Sequence, residues 1–160
     1  MGGSGTEIDA LFDALIGEGL IKAEGVRGCT DDEVAAVLAT EPSVSPPPDY
    51  ADFLRRAGRG ADRVFRGSDL FYPVCLEAQE AAREAAETDM PELRTEGRFF
   101  IGHHQGYVFY FFEAGDPRVW IHTEGDPAPV ADAATMADLL RRDAEVLREL
   151  DRRARARRGG

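Results

Sequence analysis

The sequence predicts an α+β fold: a mostly antiparallel sheet, with a central meander over about 98–124, backed by helices. Three observations lead there. The stretch Phe99–Thr123 holds the only Trp and most of the aromatic residues, and two turn signals interrupt it, Gln105-Gly106 and Ala114-Gly115-Asp116-Pro117. Tyr107–Phe112 is aromatic and β-branched without polar alternation, so its strand is expected to be covered on both faces. The flanking segments instead show helical apolar spacing behind capping residues, which suits them to supply that cover.

Each element follows in order. Met1–Gly5 reads as a flexible N-terminus ahead of a single domain over 6–150. Thr6 reads as an N-cap with Asp9 three residues on, and Ile8, Leu11, Phe12, Leu15 and Ile16 form one helical stripe. Gly25–Gly28 is a turn. Thr30 and Glu33 make a capping box, with Cys29 and Val34 placed as its hydrophobic staple. Pro42, Pro46, Pro47 and Pro48 stiffen a connection into a third helix, whose inner stripe is Tyr50, Phe53, Leu54 and Ala57, with Arg55 and Arg56 facing out. Arg63–Tyr72 reads as a strand, a glycine turn and a second extended piece. Leu76–Glu87 is helical, Thr88–Gly97 an exposed loop and Asp126–Ala134 another loop. Thr135 caps a last helix lined by Met136, Leu139, Leu140, Leu147 and Leu150, and 151–160 reads as a basic tail.

Charge narrows the partners. The formal net charge is −11: residues 1–140 carry 11 Lys/Arg against 26 Asp/Glu, and residues 141–160 carry 8 against 4. An acidic body repels nucleic acid and steers basic partners inward. No apolar run has the length of a membrane span and no export signal is visible, which points to the cytoplasm. Cys29 and Cys75 form no metal-like pair and read as buried free thiols.

Catalytic and metal chemistry find little support. His103 and His104 are adjacent in a strand and point to opposite faces, while His122 can approach one of them across the sheet. No further ligand at familiar spacing joins them. Ser4, Ser43, Ser45 and Ser68 lack a nucleophile-elbow setting, and phosphate-binding glycine motifs are absent. The expectation is therefore no catalytic residue, no cofactor and no metal.

Several stretches, taken in order, resemble the SUKH superfamily and within it the Smi/Knr group, which contains bacterial toxin-immunity proteins and a yeast regulator of cell-wall synthesis. These are Gly28–Val34, Pro47-Pro48-Asp49-Tyr50-Ala51-Asp52-Phe53-Leu54, Ile101-Gly102, Gln105–Phe111 and Pro117–Ile121. The chain departs from the pattern after the third helix, where Ala57-Gly58-Arg59-Gly60 stands in place of an NGG element. The resemblance implies an antiparallel sheet backed by helices, no cofactor and no shared catalytic residues. It also implies a non-enzymatic immunity protein that binds a cognate toxin, often a nuclease. The expected state is a monomer or weak dimer. A regulatory or scaffold module in a larger assembly is the alternative. Because a nuclease is basic where it holds phosphate, the expected contacts are acids near turns and strand ends, Asp69, Glu113, Asp116, Glu124 and Asp126, with Tyr72 and Tyr107 as aromatic anchors.

Overall fold

The computed structural model describes residues 6–159; the expected flexible stretch Met1–Gly5 lies outside the described residues. The first helix, α1 (Glu7–Gly17), opens as its cap requires. The Thr6 hydroxyl accepts the Asp9 N–H at 3.1 Å, and the Asp9 carboxylate accepts the Thr6 N–H at 3.3 Å. Ile8, Phe12 and Leu15 are buried, so the helix is docked on the core. A two-residue ladder joins β1 (Val26–Arg27) to β2 (Gly60–Ala61), where the sequence shows only turns. Between them lie α2 (Asp31–Leu38), capped reciprocally by Thr30 and Glu33, and α3 (Pro48–Ala57), with Pro48 in its first turn. Arg56 does not face out: its guanidinium donates to Asp9 at 2.9 Å and to Asp13 at 2.7 Å, tying α3 to α1.

The main sheet has five antiparallel strands in the order β3 (Ser68–Asp69), β4 (Arg98–His104), β5 (Val108–Glu113), β6 (Val119–Thr123) and β7 (Val130–Ala133). Both of its faces are covered. Phe99, Ile101, Phe112 and Val119 belong to the larger core, shared with α1, α3 and α5 (Met136–Gly159). Phe100, Phe109 and Phe111 belong to a smaller core shared with α4 (Ala78–Glu87), Met90 and Leu93. An alternating strand places successive side chains in these two cores, which is why β5 needs no polar face.

Other expectations need correction. Arg63–Arg66 is a turn, not a strand, because Asp62 and Phe65 take left-handed backbone angles, φ 54° and 58°. The loop Thr88–Gly97 is not simply exposed: Met90 and Leu93 fill the second core. Asp126–Ala134 contains β7, an edge strand whose prolines sit before it rather than within it. Leu150 is exposed, so the buried stripe of α5 ends at Leu147. The basic segment from Asp151 continues the helix to Gly159. Arg152 and Arg153 pair with Glu149, and Arg155 with Asp151, along its surface.

Candidate interaction surface

The placement of α4 follows from an incomplete strand partner. β4 is paired to β5 along its length, but β3 covers its other edge only at His103 and His104. The Gln79 side chain serves the backbone groups that β3 leaves without a strand partner further up. Its Nε2 donates to the Arg98 carbonyl at 3.0 Å, and its Oε1 accepts the Phe100 N–H at 3.1 Å. Here the primary amide uses one N–H donor and its carbonyl acceptor, as a neighbouring peptide would. Ala78 and Ala82 are small enough to let the helix settle on the aromatic face.

With its inner face fixed, α4 turns its carboxylates outward. Residues 77–96 carry seven acids (Glu77, Glu80, Glu84, Glu87, Asp89, Glu92 and Glu96) against Arg83 and Arg94. Among the described residues only Glu80 of these seven has an ion pair, to Arg83 at 3.8 Å. The two arginines are also drawn to Glu41 and Glu113. The larger-core side of the sheet is different, because Arg56, Arg141 and Arg148 there pair with Asp9, Glu7 and Glu18. The uncompensated negative charge is therefore concentrated on the smaller-core layer.

A groove of about 370 Å³ runs between α4 and the β3–β4 edge. Asp69, Glu77, Glu80 and Glu84 line it with His103, and Leu76, Ala78, Ala81 and Gly102 give it apolar walls. Val74 lies at its rim, 48% exposed. His103 is oriented by its turn: Nδ1 accepts the Gly106 N–H at 3.1 Å, which leaves Nε2 directed at Asp69, 3.6 Å away. Acids above apolar walls suit a lysine or arginine side chain, whose methylene stem lies on apolar surface while its charge meets carboxylate.

The residues expected to bind fall into four places. Asp69 joins this groove. Tyr107, Glu124 and Asp126 gather at the adjoining end of the sheet, where the Glu124 N–H donates to the Tyr107 carbonyl at 2.8 Å. There the buried His122 ring bonds the Asp126 carbonyl through Nε2 at 2.9 Å. Glu113 and Asp116 lie at the opposite end and are locally engaged. Arg98, stacked 4.3 Å over Phe111, donates to Glu113 at 3.1 Å. Arg118 grips Asp116 through its backbone N–H, Nε and Nη2, and the Trp120 indole N–H adds a fourth donor at 3.1 Å. Arg118 first, and Trp120 less strongly, hold the Asp116 carboxyl down at about 2. Tyr72 lies apart from both ends, beneath the Arg59 guanidinium at 4.9 Å. The α4 acids were not singled out from sequence. Their signal is the excess of Glu over Arg in 77–96, and no spacing rule separates it from an ordinary solvated helix face.

The histidines are distributed as strand geometry requires. His103 and His122 share a face but flank Phe109 on different strands, and His104 lies on the other face. Among the described residues no group of three or more His, Cys, Asp or Glu side chains is arranged to hold a metal ion. Cys29 and Cys75 are buried free thiols, and burial pushes the Cys75 thiol up to about 12. Among the described residues no helix is long and apolar enough to cross a membrane. Comparison with family models, with curated proteins and with solved structures finds no match to this chain.

Proposed function

We propose that this chain is a SUKH-like binding protein that works by contact alone, an immunity protein that neutralises a basic toxin domain in the cytoplasm without catalysis or cofactor. The observation that carries the reading is the α4 groove, where Asp69, Glu77, Glu80 and Glu84 converge on apolar walls in a layer rich in unpaired acids. A basic loop of the partner lays a Lys or Arg stem in the groove, and the surrounding field speeds its approach. Tyr107, Glu124 and Asp126 extend the contact at the adjoining sheet end; Glu113 and Asp116, already engaged by arginines, contribute less. The α+β architecture agrees with what the SUKH resemblance implies.

The test begins with capture of partners from the native host at low and high salt, followed by kinetics with the captured toxin domain. The double variant Glu80→Lys, Glu84→Lys is expected to lower the association rate at least about tenfold at low salt and to abolish neutralisation. Glu145→Lys, on the opposite helix layer, is the control and is expected to stay within about twofold. Neutralisation by the double variant as good as wild type would overturn the reading. Capture of a large cell-wall or capsid assembly instead of a toxin would favour the scaffold alternative.

A further inference from the structure

A second concavity lies on the other side of the sheet, between the turn ahead of β3, the β3–β4 end and α5, with a volume of about 200 Å³. Its polar groups converge. The Ser68 hydroxyl is 3.0 Å from His104 Nδ1, and the Tyr110 phenol, whose pKa burial raises, lines the same cavity. Ser68 and His104 are direct cross-strand partners, and Tyr110 follows on the same face of β5. Apolar surface comes from Leu70, Leu139 and Val146.

The wall of this cavity is held in an uncommon backbone shape. Phe65 is a bulky residue at φ 58°, and Gly67 follows at φ 89°. Such a conformation costs on the order of 1–3 kcal/mol and persists only where its surroundings enforce it. Here the Phe65 N–H donates to Asp143 of α5 at 2.9 Å, and its ring packs on Phe53 at 5.7 Å. This shape sends Phe65 toward the core and leaves Arg66 and Ser68 lining the cavity. The carboxylates at the cavity are already engaged: Asp143, in its wall, accepts the Phe65 N–H, and Arg142, also in the wall, holds the Asp132 carboxylate through Nη1 at 3.2 Å and Nη2 at 2.5 Å. Arg66 has no ion pair among the described residues, in a protein with 30 acids.

We infer that this cavity is a site for a small organic acid, a monocarboxylate on an apolar body about the size of a benzene ring. The volume sets the size, since an apolar cavity of about 150 Å³ accommodates benzene. Arg66 and the Ser68–His104–Tyr110 cluster supply donors for the carboxylate, and Leu139 with Val146 supplies the surface for the ring. The inference stands apart from the toxin-binding reading, because the α4 groove lies across the sheet from this cavity.

Benzoate is the probe and benzamide the neutral isostere, each titrated into the full chain while backbone amide NMR shifts are followed. Benzoate is expected to give saturable shifts at Arg66, Ser68 and His104, and to bind at least about fivefold more tightly than benzamide. Arg66→Gln should weaken benzoate about tenfold and leave benzamide unchanged. Val146→Trp, at a site 52% exposed, should fill the cavity and remove both ligands while the rest of the spectrum stays native. Absence of saturable shifts, equal affinity for benzoate and benzamide, or unchanged binding to the Val146→Trp protein would each overturn the assignment.

Discussion

Replacing Gln79 by Met tests whether one side chain completes the sheet. Methionine keeps the length and nearly the volume of glutamine, so packing against Phe100 changes little. What is lost is the pair of bonds at 3.0 and 3.1 Å to the Arg98 carbonyl and the Phe100 N–H. Gln79 is 3% exposed, so water has little access to those groups in its place. A buried orphan of this kind costs about 1–3 kcal/mol, and two of them place the loss near about 3 kcal/mol. With a urea slope of about 2 kcal/mol/M, that moves the unfolding midpoint down by about 1.5 M. Trp120, the only tryptophan, stacks on Phe111 in the same core and reports the transition by fluorescence. The Phe100 amide should also exchange with solvent faster than its neighbours in β4. A loss below about 1 kcal/mol, with Phe100 exchange unchanged, would refute the claim that the Gln79 amide acts as a strand partner.

Three further outcomes are expected. Gly102 has φ 154° and abuts the Asp69 carbonyl, so Gly102→Ala should cost about 3 kcal/mol or more and separate β3 from β4, read by denaturation and by loss of amide protection at His103 and His104. Asp116 should titrate near 2 by carboxyl NMR, and Arg118→Ala should return it toward the ordinary 3.8. Because the folded value lies below the unfolded one, its contribution is complete above about 4 and disappears as pH falls through 2. Cys75, raised to about 12, should resist a thiol reagent at pH 8 until urea unfolds the chain. Its raised value stabilises the fold below about 9, and that contribution is lost as pH climbs toward 12, read as a falling urea midpoint.

Much of the architecture was legible because it depends on local chemistry. The capping pairs at Thr6–Asp9 and Thr30–Glu33 need only a side chain and the backbone three residues away. The absence of alternation in Tyr107–Phe112 announced a strand covered twice. Other features depend on distant partners. Nothing near Gln79 marks it as a surrogate strand, and nothing near Phe65 announces a left-handed residue held by Asp143, 78 positions on. β7 escaped because Val-Ala-Asp-Ala between prolines and alanines carries almost no strand propensity; pairing with β6 creates it. The binding residues divide in the same way. Asp69 reached an acidic groove, whereas Glu113 and Asp116 met arginines whose positions only the folded chain sets.

The two cores are unequal, and the acidic layer rests on the smaller one. Its helix contributes alanines where α1 and α3 contribute Phe12, Phe53 and Leu54, so lifting it exposes far less greasy surface to water. Regions that open cheaply fluctuate ahead of global melting and are ordered by whatever grips them. A partner seated on α4 would thus act as a clamp as well as a ligand. Deuterium uptake across Ala78–Leu93 should slow on complex formation far more than uptake in the α1–α3 layer.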